Sequence, residues 1–239
     1  MENNFLQRTE LLIGEESLKK LANSKILVFG VGGVGGYVVE GLVRAGIGEI
    51  TVVDFDTIDI TNINRQIIAL HSNIGAYKVD IIEQRIKDIN PKCKVIKFKE
   101  KLVPDNIDKF SLKEYDYIVD AIDSVQSKIA LAEYCYNNNI NLFSSMGAGN
   151  KLDPKKFKVS DISKTSVCPL ARTMRVNLKK KNVKKLKVIW SDELPKKNNN
   201  TNNGSNKTPT SSISFVPSVA GLIISGEIIN ELISKEDYG

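Results

Sequence analysis

From residue 25 to residue 145 the hydrophobic pattern switches between two periods. Short runs of branched apolar residues at 25–30, 49–54, 94–98, 115–120 and 141–145 read as buried strands. The segments between several of them have helical spacing. Residues 34–45 form one helix, which stops at Gly46 and Gly48. Residues 77–89 form another, with Val79, Ile82, Ile86 and Ile89 on one face and Asn90-Pro91 after it. Residues 125–137 form a third. Strand and helix alternate, which predicts an α/β fold: a Rossmann-like, doubly wound, mostly parallel sheet with helices on both faces.

The alternation weakens after Gly149. Residues 153–163 suggest a short strand and turn. Residues 169–181 read as an amphipathic helix with Pro169 in its first turn and Leu170, Met174 and Leu178 repeating every four positions. Residues 186–190 are a further strand candidate. Residues 196–210, rich in Asn, Ser, Lys and Thr, read as a mobile surface loop. Residues 215–233 return to apolar character, with Pro217 opening a terminal helix. The expected organisation is a nucleotide-binding unit over 1–150 and a smaller basic C-terminal extension over 151–239.

Composition narrows the class. The chain has 239 residues, 41% hydrophobic and 26% charged, in the range of an ordinary globular protein. Residues 1–10 are polar, without an apolar core of signal-peptide length, and no apolar run approaches membrane-spanning length, so the expected compartment is the cytoplasm. Cys93, Cys135 and Cys168 form no Cys-x-x-Cys pair, which argues against a zinc knuckle. His71 is the single histidine and has no evident triad partner. The net charge of +6 is uneven: Lys164, Arg172, Arg175, Lys179 and Lys180 fall in one basic stretch. By itself this is either a phosphate-backbone footprint or a solvated helix face.

The candidate chemistry starts at Gly30-Val31-Gly32-Gly33-Val34-Gly35, a G-x-G-x-x-G between a strand and a helix. Gly30, Gly32, Gly33 and Gly35 let the backbone turn tightly and approach a phosphate, and the helix N-terminus offers unpaired N–H groups. Asp54, at the end of the next strand, can accept hydrogen bonds from ribose hydroxyls. This fingerprint first suggests NAD and an oxidoreductase. The following stretch, Asp54-Phe55-Asp56-Thr57-Ile58-Asp59-Ile60-Thr61-Asn62-Ile63-Asn64-Arg65-Gln66, then Gly75-Ala76-Tyr77-Lys78, then Asp120-Ala121-Ile122-Asp123-Ser124, points elsewhere. A hydride-transfer site has no need of an Arg, a Lys and a free carboxylate for handling pyrophosphate.

These motifs, in this order, resemble the adenylation core of the ubiquitin-activating-enzyme-like superfamily, which includes molybdopterin- and thiamine-synthesis adenylyltransferases. The resemblance implies ATP and Mg²⁺ as cofactors. It implies that Asp54 holds the ribose, Arg65 and Lys78 reach the phosphates, Asn62 and Ser124 add polar contacts and Asp123 holds Mg²⁺. It also implies a homodimer in which Arg8 reaches the partner's ATP. Segments across the chain, among them Thr9-Glu10-Leu11-Leu12-Ile13-Gly14, Ser144-Ser145-Met146-Gly147-Ala148-Gly149-Asn150, Ser191-Asp192-Glu193-Leu194-Pro195 and Phe215-Val216-Pro217-Ser218-Val219-Ala220-Gly221, resemble the tRNA threonylcarbamoyladenosine dehydratase branch. That branch implies tRNA as partner and the basic stretch as its contact, with ATP-dependent cyclisation of threonylcarbamoyladenosine next to the anticodon through an acyl-adenylate. The alternative is an adenylyltransferase that activates the C-terminus of a ubiquitin-like sulfur-carrier protein. A nucleotide-binding regulatory module without catalysis is a further reading, and an accessory protein is left open. The absence of Cys-x-x-Cys pairs, and of any cysteine after Cys168, argues against a zinc-bearing or sulfur-relay member.

Overall fold

A computed structural model describes residues 4–196 and 210–234. The segment read as a mobile loop lies outside the described residues except for its ends at Lys196 and Thr210. The elements in chain order are α1 (Gln7–Asn23), β1 (Lys25–Phe29), α2 (Gly35–Arg44), β2 (Glu49–Val53), α3 (Lys78–Ile89), β3 (Lys94–Phe98), β4 (Tyr117–Asp120), α4 (Val125–Asn137), β5 (Leu142–Ser145), β6 (Phe157–Asp161), α5 (Pro169–Lys180), β7 (Lys187–Ser191) and α6 (Phe215–Ser234), with short 3-10 turns between several of them.

One seven-stranded sheet runs in the order β3-β2-β1-β4-β5-β7-β6. All neighbouring pairs are parallel except β6–β7, which is antiparallel. The period of two along each strand divides the core. Ile26 and Val28 of β1 face the layer built by α2, α3 and α6, while Leu27 and Phe29 face that of α4 and α5. Strands buried on both faces read as unbroken apolar runs, which is why they stand out in the sequence.

The C-terminal extension does not stand apart. β6 and β7 extend the sheet, and α6 buries Ala220, Ile224, Ile228 and Leu232 in the same core cluster as β1 and β2. Their four-residue spacing makes one stripe along the helix. Residue 150 marks a change of sequence pattern, and the sheet and core continue across it. Among the described residues α6 is the one helix long and apolar enough to cross a membrane, and this stripe is packed on the sheet layer.

The sequence pattern did not reveal α1. It is kinked at Gly14 (φ 84°, ψ 161°), buries only Leu21 fully, and leaves Leu11 and Leu12 85% and 84% exposed. A helix with no continuous apolar stripe leaves no period to read.

Two helices that frame the site are locked by charge. Glu40 on α2 accepts hydrogen bonds from Arg85 on α3 (Nε 2.6 Å, Nη2 2.9 Å) and from Arg44 (Nε 2.7 Å). Burial pushes the Glu40 carboxyl up, but the hydrogen bonds from Arg85 and Arg44 outweigh it and hold the group below its ordinary value. A lowered folded-state pKa means that this contribution is complete above the ordinary carboxylate range and is lost as pH falls through the folded value. Glu40→Gln is expected to lose about 1–3 kcal/mol at neutral pH. Its deficit against the parent should shrink in acid, which thermal melts across that range would check.

Candidate active site

The parallel strands point their carboxyl ends one way, and the order β2-β1-β4 makes a switch point beside β1. A cleft of about 380 Å³ opens there. Gly30, Gly32, Gly33, Asp54, Asn62, Arg65, Lys78, Asp123 and Ser124 all line it, so nine sequence-nominated residues from five segments meet at one place. Gly35 lies beneath, where a side chain would press into the Gly30 backbone (carbonyl carbon 2.9 Å from the Cβ position).

The phosphate loop depends on Gly30. Its φ is +83°, and a Cβ there would stand 2.8 Å from the Ala121 carbonyl oxygen. Among the described residues the N–H groups of Gly32, Gly33 and Val34 make no hydrogen bond, and they precede the first turn of α2. Free amides and the positive end of the helix suit an anion.

Asp54 closes the loop from the other side. Its Oδ2 accepts the Val31 N–H (2.8 Å) and its Oδ1 the Asp56 N–H (2.9 Å). The carboxylate is buried, which pushes its pKa up; the Lys78 charge and the two amides oppose this without cancelling it. Lys78, the first residue of α3, is buried and pairs with Asp56 at 2.8 Å. Arg65 packs its stem against Gly33 and donates from Nη1 to the Thr61 carbonyl (3.0 Å) and to Asn64 Oδ1 (2.9 Å). Asn62 accepts the Asp59 N–H (3.2 Å) and so shapes the turn that carries Arg65. Ser124 caps α4, accepting the Ser127 N–H at 3.4 Å.

Asp123 is exposed in the cleft and, among the described residues, has no hydrogen-bond or ion-pair partner. No cluster of three or more His, Cys, Asp or Glu exists among them. One free hard-oxygen donor beside a phosphate loop fits Mg²⁺, which is held by one or two carboxylates together with substrate phosphates. Cleft residues that the sequence reading left without a role include Phe29, Phe55, Gln66, Glu100, Lys101, Leu102 and Ile122. Lys101 lies 5.4 Å from the Phe55 ring centroid. Phe55 and Gln66 belong to the 54–66 stretch and Ile122 to 120–124, but Lys101 and Leu102 follow β3 with no local signal at all.

The remaining nominated residues do not join this cleft. Arg8 is exposed on α1, two residues after Leu6, whose side chain packs at Gly46 beyond the C-terminus of α2. The phosphate loop is at the other end of that helix, about 15 Å away. In the basic stretch, Arg172, Lys179, Lys180 and Lys164 are exposed. Arg172 sits in the first turn of α5, near the loop after β5, since Cys168 approaches Gly147 there. Lys179 and Lys180 lie at the far end of α5. Arg175 is a correction to the solvated reading: it is half-buried and donates to the Thr165 carbonyl (2.9 Å) and hydroxyl, bracing α5. The thiols of Cys93 and Cys135 are pushed up to about 11 and about 12 by burial, so neither is a ready nucleophile.

Comparison with known proteins agrees with this geometry. The ThiF family model matches residues 6–238. The chain is 45% identical over 237 residues to the tRNA threonylcarbamoyladenosine dehydratase of Bacillus subtilis, covering 95% of this chain and 93% of that protein. The crystal structure of E. coli tRNA N6-threonylcarbamoyladenosine dehydratase in complex with ATP superimposes with a TM-score of 0.85 at 34% identity, covering 95% of this chain and 93% of that one. An adenylyltransferase and sulfurtransferase of Lodderomyces elongisporus is 39% identical, but over 49% of this chain and 26% of its own. Similarity to the dehydratases therefore includes β6, β7 and α6, beyond the adenylation core, and the chain belongs to the ThiF family, in its tRNA threonylcarbamoyladenosine dehydratase branch.

Proposed function

We propose that the chain is an ATP-dependent tRNA threonylcarbamoyladenosine dehydratase that works in the cytoplasm. The observation that carries this reading is the meeting of Asp54, Arg65, Lys78 and Asp123 around the phosphate loop of a chain similar to such enzymes over almost its full length. Asp54 faces the ribose, and Phe29, Phe55, Leu102 and Ile122 supply an apolar wall for the base. The triphosphate lies over Gly32 and Gly33. The substrate carboxylate attacks the α-phosphorus, the bond to the β-phosphate oxygen breaks, and pyrophosphate leaves with an acyl-adenylate behind. The threonylcarbamoyl group then closes on its own activated carbonyl and AMP departs with the former carboxylate oxygen. One water is lost in sum, and the product is cyclic.

The nucleophile in each step belongs to the substrate, so the protein's task is positioning and charge neutralisation. Arg65 offers a planar donor fork and Lys78 a point charge. Mg²⁺ on Asp123 would neutralise phosphate charge as pyrophosphate leaves. Arg172, at the cleft end of α5, is the basic residue best placed for the tRNA backbone, with Lys179, Lys180 and Lys164 further along. A homodimer belongs to this reading: Arg8 reaches a nucleotide only from a second copy, and Phe5, Leu11 and Leu12 around it are exposed apolar groups.

Incubation with ATP, Mg²⁺ and tRNA carrying threonylcarbamoyladenosine, followed by nucleoside mass analysis, should show an ATP-dependent loss of one water mass. Pyrophosphate exchange that required a Gly-Gly-ended carrier protein instead would replace this reading. Arg65→Ala is expected to lower kcat/KM by about 100-fold or more.

Ribose hydroxyls donate to a charged Asp54, and its pKa is raised in the free cleft. Nucleotide affinity should therefore fall as pH is lowered through that raised value, because the proton must be given up to bind. Asp54→Asn should bind weakly with no such dependence, which titration calorimetry across the mildly acidic range would test. Arg172→Ala should weaken tRNA binding and flatten the salt dependence by about one counterion, leaving ATP affinity unchanged.

A further inference from the structure

Beneath the cleft lies a buried ion pair that the mechanism above does not use. Asp120, the last residue of β4, and Lys128, in the first turn of α4, are both 0% exposed, with Nζ 2.9 Å from Oδ1. Neither lines the cleft. Around them three further bonds converge. Lys128 Nζ donates to the Ile122 carbonyl (3.1 Å), the Ile122 N–H donates to Asp120 Oδ1 (3.3 Å), and Ser144 Oγ on β5 donates to Asp120 Oδ2 (2.6 Å). The turn they hold is 121–124, in which Asp123 directly follows Ile122. On its other side the Ala121 carbonyl abuts Gly30 of the phosphate loop, and the Ala121 N–H bonds to the Phe29 carbonyl (2.9 Å).

Withdrawing two charges from water is expensive, and a well-packed apolar pair of similar volume is often as stable. The pair here is not needed to link β4 to α4, since both already pack in one apolar cluster through Ile118, Leu131 and Ala132. What an apolar pair could not do is fix both the carbonyl and the amide of Ile122. We propose that Asp120 and Lys128 are positioning residues for adenylation. They set the Ile122–Asp123 peptide so that the free Asp123 carboxylate stays in the phosphate half of the cleft, and Ser144 ties that setting to β5.

This inference rests on the adenylation reading, and its test separates the two. Lys128→Met alone strands a buried carboxylate, so the informative variant is Asp120→Leu/Lys128→Met, with Ser144→Ala as a milder one that leaves the ion pair intact. Thermal melting reads stability, pyrophosphate exchange reads kcat and KM, and binding of ATP with Mg²⁺ or with chelator reads the acid's position without turnover. The double variant should melt near the parent yet lose about tenfold or more in kcat, as a misplacement of about 1 Å far from the chemistry can cause. KM for ATP should stay within about threefold, because Asp54 and the loop are untouched. The gain in ATP affinity on adding Mg²⁺ should shrink, and Ser144→Ala should show the same changes in weaker form. A folded double variant with parental kcat and parental Mg²⁺ dependence would overturn the proposal. If the double variant does not fold, unchanged kcat and Mg²⁺ dependence in Ser144→Ala would overturn it instead. A parent protein that binds ATP with Mg²⁺ dependence but shows no turnover would count against the adenylation reading alone.

Discussion

The fold is organised around the place where β1 stops. The chain must turn there between β2 and β4, in a space where a side chain at Gly30 would strike the Ala121 carbonyl. A left-handed backbone without Cβ resolves the crowding, and the same turn leaves the following amides free. Because the neighbouring strands are parallel, each delivers its own connection to that spot. β2 brings Asp54, the following turn brings Asn62 and Arg65, α3 begins with Lys78, and β4 leads into Asp123. One geometric constraint thus gathers residues spread over 94 positions, from Gly30 to Asp123.

The electrostatics of the cleft follow from how each charge is held. Lys78 and Arg65 both have local acceptors, Asp56 and the Thr61 carbonyl with Asn64, which a phosphate oxygen can replace. Asp123 has none among the described residues and is exposed in the cleft. Asp54 is the opposite case: desolvated and bound to two loop amides, it is part of the scaffold as well as a ligand group. Cations with exchangeable partners, an exposed acid and a carboxylate fixed by two loop amides form a set suited to a polyphosphate.

Beyond residue 150 the molecule is less modular than its sequence suggests. β7 pairs with β5 and carries β6 antiparallel on its outer edge, while α6 returns to the layer of α2 and α3. The Gly221 backbone faces Val34 and Tyr37 at the start of α2, so the last helix buttresses the helix that follows the glycine-rich loop. This gives the C-terminal segments a physical reason to travel with the adenylation core. The basic stretch is not one surface: Arg175 is turned inward to Thr165, and its exposed basic neighbours lie at different heights along the sheet.

By itself the sequence determined the strands β1 to β5 and β7, the helices α2 to α6, a short strand near β6 and the glycine-rich loop after β1. Each is set by a local rule: unbroken apolar runs for strands buried on two faces, a period near four for one-sided helices, and glycines where the backbone must crowd. The motifs also named Asp54, Arg65, Lys78 and Asp123 of the cleft, since their chemistry is carried by residue type and spacing. Only the tertiary structure decided the rest. α1 carries no apolar stripe, and its kink at Gly14 breaks the period. Lys101 and Leu102 reach the cleft because β3 ends beside β2, a register that no local pattern encodes. Arg8 and Arg175 read alike in the sequence as basic residues, yet one lies at the far end of α2 and the other is folded onto Thr165. The Asp120–Lys128 pair is eight residues apart in sequence, and its meaning lies in desolvation, which depends on what packs around it and not on which residues lie next to it in the chain.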